Sequence, residues 1–356
     1  MTPPRLRDAP RGQRAPFGTR RDGTMVERLT IGSDPCAAGR ISLGILTLGA
    51  TLHGLWLDDD PHSLSPGGAD LAAQDGPLSS FGSLTGPVVN RVRGGRVQID
   101  GESWQMPCVP GGGWSQHSGP EGIQARIWQV ADLAPDRAVL RLTLTHGACG
   151  LPGDRVIDAT YHATPGALLC TVSVTTDRRT PINIAHHAYW NLNGGGSLAG
   201  HRVQLAASRM LETDAQILPT GRLLPVAGGP LDYRGMRVLS PGPDNRHDHC
   251  LVLDEPAGQV VDGMRLAAML EGPNGTRMWL ETDAPALQVY DGGTVDSAGM
   301  AGLNGRPIAT YEALALEAQG YPDAPNRPEF PTIMLDPGQS WRRRTRWSFE
   351  RPKARG

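Results

Sequence analysis

The sequence predicts an all-β protein, a large antiparallel β-sandwich, and three observations carry that prediction. Apolar residues recur with period two: Leu140, Leu142 and Leu144 alternate with Arg141, Thr143 and Thr145, and Cys170, Val172 and Val174 alternate with Thr171, Ser173 and Thr175, the pattern of half-buried strands. Turn-forming residues are abundant, with 46 glycines and 31 prolines in 356 residues, where ordinary usage is about 7% and 5%. No stretch keeps an amphipathic helical period over several turns, and no alternation of strands with long helices suggests a parallel sheet.

Taken in chain order, residues 1–24 stand apart. They are rich in proline, glycine and arginine (Arg5, Arg7, Arg11, Arg14, Arg20, Arg21) and almost free of large apolar side chains. Such a composition predicts a disordered basic leader, because it buries too little surface to offset chain entropy. A tail, an upstream mis-assigned start and a nucleic-acid-binding arm are the alternatives for it. Strand patterning begins at Met25, so the sandwich domain is expected over 25–350, with 351–356 as a C-terminal tail. Within the domain, Val97-Gln98-Ile99 and Ser103-Trp104-Gln105-Met106 flank Asp100-Gly101, whose tolerance of left-handed backbone suits a hairpin turn. The glycine runs Gly111–Gly113 and Gly194–Gly196 lie beside the candidate chemical motifs and read as site loops rather than domain joints. No fixed-period repeat stands out.

Charge and cysteine usage narrow the function classes. With 34 basic and 36 acidic residues the net charge is -2, so no global attraction to nucleic acid or to an anionic membrane is implied, and a neutral partner is expected. No secretory signal and no membrane-spanning stretch is evident. The five cysteines, Cys36, Cys108, Cys149, Cys170 and Cys250, are odd in number and scattered; neither a disulfide framework nor a zinc ribbon follows, and reduced thiols in a cytoplasm fit best. The sequence leaves the oligomeric state open.

Two residues carry the chemistry. His187, in Pro-Ile-Asn-Ile-Ala-His-His-Ala-Tyr-Trp-Asn-Leu, and Glu317, in Leu-Ala-Leu-Glu-Ala-Gln-Gly-Tyr-Pro-Asp-Ala-Pro-Asn, offer an imidazole and a carboxylate, the pair needed to move two protons on one small molecule. Their reference pKa values lie either side of about 5, and burial and neighbours can set opposite protonation states near neutrality. Metal binding is the competing use of such residues. Adjacent His186 and His187 on a strand point to opposite faces and cannot share one ion. His247 and His249 could, but in no recognised ligand spacing. Gly194-Gly195-Gly196 lacks the Lys-Ser/Thr of a phosphate loop. No metal is expected.

Six strings in one order now matter together: Asn90-Arg91 in Gly-Pro-Val-Val-Asn-Arg-Val, His117 in Gln-His-Ser-Gly-Pro-Glu-Gly, His187 in His-His-Ala-Tyr-Trp-Asn-Leu, Asp248 in His-Asp-His-Cys-Leu-Val-Leu, Gln288 in Leu-Gln-Val-Tyr, and Glu317 in its own run. This order resembles the aldose 1-epimerase (galactose mutarotase) family from Met25 to about Glu350. A surface ion-pair partner for Arg91 and a turn cap for Asp248 are the competing readings; the shared order favours the site.

The resemblance implies one large β-sandwich of the galactose mutarotase-like kind, a carbohydrate cleft on one sheet, no cofactor, and interconversion of the α and β anomers of a free aldose. It implies Glu317 as the base at the anomeric C1 hydroxyl, His187 as the acid at the ring oxygen, and His117 as a second catalytic histidine supporting developing charge. Asn90, Arg91, Asp248 and Gln288 would hold sugar hydroxyls, and Tyr189 would form a wall. The chain departs from the family at His186 and Ala188, where Asn and Ser are common around the acid, and at Pro87, where Arg is common. These changes bear on substrate preference more than on chemistry. The rival readings are a sugar-binding or sensing protein without turnover, and an epimerase of a hexose phosphate, which would need several cations converging on the phosphate.

Overall fold

A computed structural model describes residues 10–256, 260 and 262–352. Strands dominate it; the one α-helix among the described residues is Leu71–Gln74, capped by the Asp70 carboxylate, which accepts from the Ala73 N–H. Among the described residues no helix is long and apolar enough to cross a membrane.

Three antiparallel sheets form the body. A nine-stranded sheet runs in the order Gln129–Leu133, Arg137–Leu144, Arg155–Thr164, Ala167–Thr176, Ser340–Glu350, Arg277–Thr282, Arg265–Glu271, Arg202–Leu205 and Arg237–Val238. A six-stranded sheet runs Tyr189–Trp190, Leu314–Gln319, Ala286–Tyr290, Asp248–Val252, Arg209–Thr213 and Pro219–Pro225. Gln13–Thr19, Met25–Gly32, Ile41–Leu46 and Thr51–Leu57 make the third. The alternating segments read from sequence are strands of the large sheet, paired Arg141 to Asp158 and Asp158 to Ser173. Asp100 and Gly101, both left-handed at φ 50° and 85°, close the expected hairpin between Arg96–Ile99 and Glu102–Gln105.

One cluster joins the sheets, with Ile31 and Leu43 from the third, Leu140, Val172 and Trp347 from the large one, and Leu251, Leu287, Leu316 and Trp190 from the six-stranded one. The six-stranded sheet thus gives its odd-numbered 287 and 289 and its even-numbered 314 and 316 to the core. Period two sends Gln288, Glu317 and Cys250 to the opposite face, where Gln288 stands in register between the other two. That outer face carries the cleft.

The expected disordered leader is overturned over part of its length. Residues 1–9 lie outside the described residues, but Gln13–Thr19 is a strand paired with Met25–Gly32. Composition misled because this strand needs little apolar surface of its own. One edge of its backbone pairs with the neighbouring strand, and Phe17 packs on the cluster of Val26, Leu46, Leu48 and Leu71. Two of the arginines have fixed partners: Arg14 pairs with Glu27, and Arg20 holds Asp75 with the Ala125 carbonyl. The folded chain therefore starts well before Met25.

Candidate active site

The cleft on the outer face encloses about 500 Å³, within the range of small-molecule sites. The eight residues expected to act on or hold the substrate all line it: Asn90, Arg91, His117, His187, Tyr189, Asp248, Gln288 and Glu317.

Three strands supply its floor. Glu317 lies mid-strand in Leu314–Gln319, Gln288 faces it from the next strand, and Asp248 opens the third. The wall opposite comes from residues 86–118. Here the Val88 N–H donates to Ser118 Oγ, which donates to the Val88 carbonyl, and the His117 N–H donates to the Asn90 carbonyl. Asn90 and His117 both sit in the left-handed region, at φ 65° and 51°, which side chains of these types tolerate better than most.

Hydrogen bonds fix the polar groups in sequence. Asn90 Nδ2 donates to Gln288 Oε1 at 3.1 Å, Gln288 Nε2 donates to Asp248 Oδ1 at 2.7 Å, and Arg91 reaches Asp248 Oδ2 at 3.5 Å. The Asn90 N–H donates to His117 Nδ1 at 3.2 Å. Nδ1 is then an acceptor, so the neutral ring carries its proton on Nε2. Burial, His187 and Arg91 push the His117 imidazole down to about 3. His117 is therefore neutral, with an N–H on Nε2 rather than a positive charge.

His187 and Glu317 meet. His187 Nε2 lies 3.5 Å from Glu317 Oε1, and both side chains are almost wholly buried. His187 Nδ1 and Glu317 Oε2 have no hydrogen-bond partner among the described residues. Burial, with the Asp248 charge adding to it, pushes Glu317 up to about 8, and burial pushes His187 down to about 4. Between those values the pair holds one proton. The imidazole is held flat against Tyr189, with centroids 5.1 Å apart, and Tyr189 stacks on Phe81 at 3.9 Å. The His187 backbone is stitched to the turn, its N–H donating to the Ser83 carbonyl and its carbonyl accepting from the Gly82 N–H. Gly82 is left-handed, and a Cβ there would lie 2.0 Å from the Leu52 carbonyl oxygen, so no other residue fits this support.

Sequence reasoning missed part of the lining. Ser80, Phe81, Gln116, Arg246, Tyr290, Thr294 and Asp296 also reach the cleft. It also missed residues that hold others in place. The Asn183 amide accepts from the Gly320 N–H at 2.7 Å and donates to the Gly320 carbonyl at 3.2 Å, tying the His187 segment to the strand of Glu317. Asp323, in the quoted Tyr-Pro-Asp-Ala-Pro-Asn string, accepts from the Arg93 N–H while its own N–H donates to the Arg91 carbonyl. A polar residue beside a motif was the available signal in both cases.

The other histidines are not gathered around an ion. No group of three metal-ligating side chains occurs among the described residues. His247 bonds Tyr233 Oη at 2.8 Å and lies beside the buried Asp291. The arginines lining the cleft are Arg91 and Arg246, and each already faces an aspartate, Asp248 and Asp291 respectively. They do not form the converging cationic set that a sugar phosphate needs.

The sequence pattern of the family described as aldose 1-epimerase matches residues 36–348. The galactose mutarotase of Rattus norvegicus is 29% identical over 338 residues, covering 92% of this chain and 95% of that protein. The aldose 1-epimerase of Escherichia coli (strain K12) is 30% identical over 76% of this chain and 80% of its own length. Among solved structures, an aldose epimerase homologue from C. elegans superposes with a TM-score of 0.82 at 26% identity, covering 91% of this chain and 99% of that one. Galactose 1-epimerase from Lactobacillus acidophilus NCFM gives 0.79 at 25% identity, covering 95% and 98%. Family pattern and family fold thus coincide over nearly the whole chain, which belongs to the aldose 1-epimerases, a family of isomerases.

Proposed function

We propose that this chain interconverts the α and β anomers of a free aldose, with Glu317 and His187 as its proton-transfer pair. The observation that carries the reading is the buried contact of 3.5 Å between His187 Nε2 and Glu317 Oε1 inside a cleft of polar side chains. A hemiacetal hydroxyl is a weak acid and a ring ether a weak base, so opening is slow unless groups at both oxygens exchange protons with it. Each such positioned group contributes on the order of 10² to 10⁴ in rate.

The steps follow from the single proton that the pair holds. With that proton on His187, Glu317 takes the proton of the C1 hydroxyl and His187 gives its own to the ring oxygen. The C1–O5 bond breaks, C1 becomes an aldehyde carbon and O5 a hydroxyl. Rotation about C1–C2 presents the other aldehyde face, and the same transfers in reverse close the ring to the opposite anomer. Sugar hydroxyls donating to Glu317 favour its carboxylate form and so offset the burial that otherwise keeps it protonated. His117 donates from Nε2 to a sugar oxygen, Asn90, Arg91, Asp248 and Gln288 hold hydroxyls, and Tyr189 walls the ring.

A net charge of -2 supports a neutral partner rather than nucleic acid or a membrane surface. Five unpaired thiols support a reducing, cytoplasmic setting. The test is polarimetry of freshly dissolved single-anomer sugars, beginning with galactose and glucose, with no metal or nucleotide added. Wild-type chain should shorten the approach to equilibrium, and Glu317→Gln should return it to the buffer rate. Sugar binding by calorimetry without any acceleration by wild type would favour a binding protein instead.

A further inference from the structure

Arg246 lines the cleft, yet the proton-transfer pair and its hydroxyl-holding network make no use of it. Its placement is built by the fold. Gly293 is not left-handed, so conformation does not demand glycine there. A Cβ at 293 would lie 2.4 Å from Arg246 Nε, 2.7 Å from its Cζ and 2.8 Å from the Tyr311 ring, so the missing side chain is what seats the guanidinium.

Asp291 completes the seat. It is fully buried, accepts from the His247 N–H at 2.7 Å and the Gly293 N–H at 2.9 Å, and lies 3.7 Å from Arg246 Nε. One carboxylate thus ties the segment before the Asp248 strand to the turn that brings Thr294 and Asp296 to the cleft. Only the inner edge of the guanidinium is engaged. Among the described residues no hydrogen bond satisfies its terminal nitrogens, and the side chain keeps 38% of its exposure.

We infer that Arg246 is a further specificity-determining residue, reading an oxygen on the side of the sugar ring remote from the anomeric centre. The strand order sets which side: the strand of Asp248 lies two strand spacings from that of Glu317, roughly 10 Å across the sheet. With C1 and the ring oxygen at Glu317 and His187, the opposite edge of a pyranose carries C3 and C4. The guanidinium donates to the oxygens there, a charge-assisted bond that strengthens discrimination between C4 epimers. Arg246 never touches the transferred protons, so it acts in binding. This inference rests on the proposed mutarotase reading for the orientation of the ring.

The experiment is a double-mutant cycle of Arg246→Ala and Gly293→Ala, with Arg246→Lys beside it, measured by polarimetry and calorimetry on galactose and glucose. Arg246→Ala should raise KM about tenfold for the preferred epimer, leave kcat within about threefold, and shrink the preference between the two sugars. Gly293→Ala should do the same by displacing the guanidinium, and should add little once Arg246 is gone. Arg246→Lys, which keeps the charge without the planar fork, should recover the effect only in part. Unchanged KM and affinity for both sugars in Arg246→Ala, with an unaltered melting temperature, would overturn the inference, as would single effects that multiply in the double variant. A wild type that binds sugars without turning them over would fail the mutarotase reading instead, and calorimetry would still decide whether Arg246 sets the affinity.

Discussion

Glu317→Gln should make this protein more stable while abolishing its turnover. Glu317 is 2% exposed, and burial, reinforced by Asp248, pushes its carboxyl from 4.5 up to about 8. The sign follows from proton counting. Below pH 4.5 the group is protonated in both folded and unfolded chains and nothing is at stake. As pH rises toward 8 the unfolded chain releases the proton while the folded one keeps it, so stability falls; above 8 the loss is complete and constant. One pKa unit corresponds to about 1.4 kcal/mol, so the loss is about 3 kcal/mol at pH 7 and under about 1 kcal/mol at pH 5. Glutamine keeps the shape and carries no charge to bury. Urea unfolding of the two proteins at pH 5, 7 and 8.5 should therefore show a gain for the variant of about 1, 3 and 5 kcal/mol, of the order of 5 °C in melting temperature at pH 7. A variant no more stable than wild type at pH 8.5, or one whose gain is the same at pH 5, would refute the assignment of an uncompensated buried carboxyl.

Glu317→Gln and His187→Asn should each lower kcat by about 10² or more with sugar affinity changed by less than about tenfold, and the double variant should lose much less than the product because both groups serve one proton-transfer event; stopped-flow polarimetry and calorimetry separate the two quantities. The pH profile of kcat/KM should be a plateau bounded by limbs near 4 and 8, the range in which the pair holds one proton, with both limbs belonging to the pair rather than to either residue. A single sigmoid centred near 6.5 would assign the rate to an isolated histidine. A chain starting at Met25 should melt several degrees below the full-length chain, because it loses the strand Gln13–Thr19, the packing of Phe17 and the Arg20–Asp75 bridge; equal melting temperatures would show that this strand adds nothing to the fold.

The sheet body was legible because its signal is local. Leu140 to Leu144 alternates cleanly, and each strand of that kind buries one face whatever it pairs with. The short strands Tyr189–Trp190 and Ala185–His186, buried on both faces, carry no such alternation. The leader failed for the converse reason: Gln13–Thr19 borrows its stability from a partner strand and Arg20, just after it, from Asp75 and Ala125, contacts that composition cannot register. The eight residues read as a site do meet in one cleft, because each sits in a string shaped by demanding backbone or packing. Arg246 directly precedes the His247-Asp248-His249 string but was passed over, because what seats it, Gly293, lies 47 residues further along the chain.

His186 and Ala188 show how little a departure in a motif says until its direction is known. Flanking the acid, they read as changes in substrate preference. Period two alternation instead turns both away from the cleft. His187 faces His117 and Tyr189, whereas His186 packs edge-on to Tyr161 and Trp347 with both ring nitrogens unpartnered. Ala188 is fully buried in the joint core. Burial pushes the His186 imidazole down to about 3, so the ring stays neutral, and it meets Tyr161 and Trp347 through ring contacts alone. An aromatic ring that contacts Trp347 from the strand next to the acid fixes the level of that strand against the large sheet. The pair of changes therefore alters how the acid is supported from behind, and sugar preference must be sought among groups that face the cleft, Arg246 foremost among them.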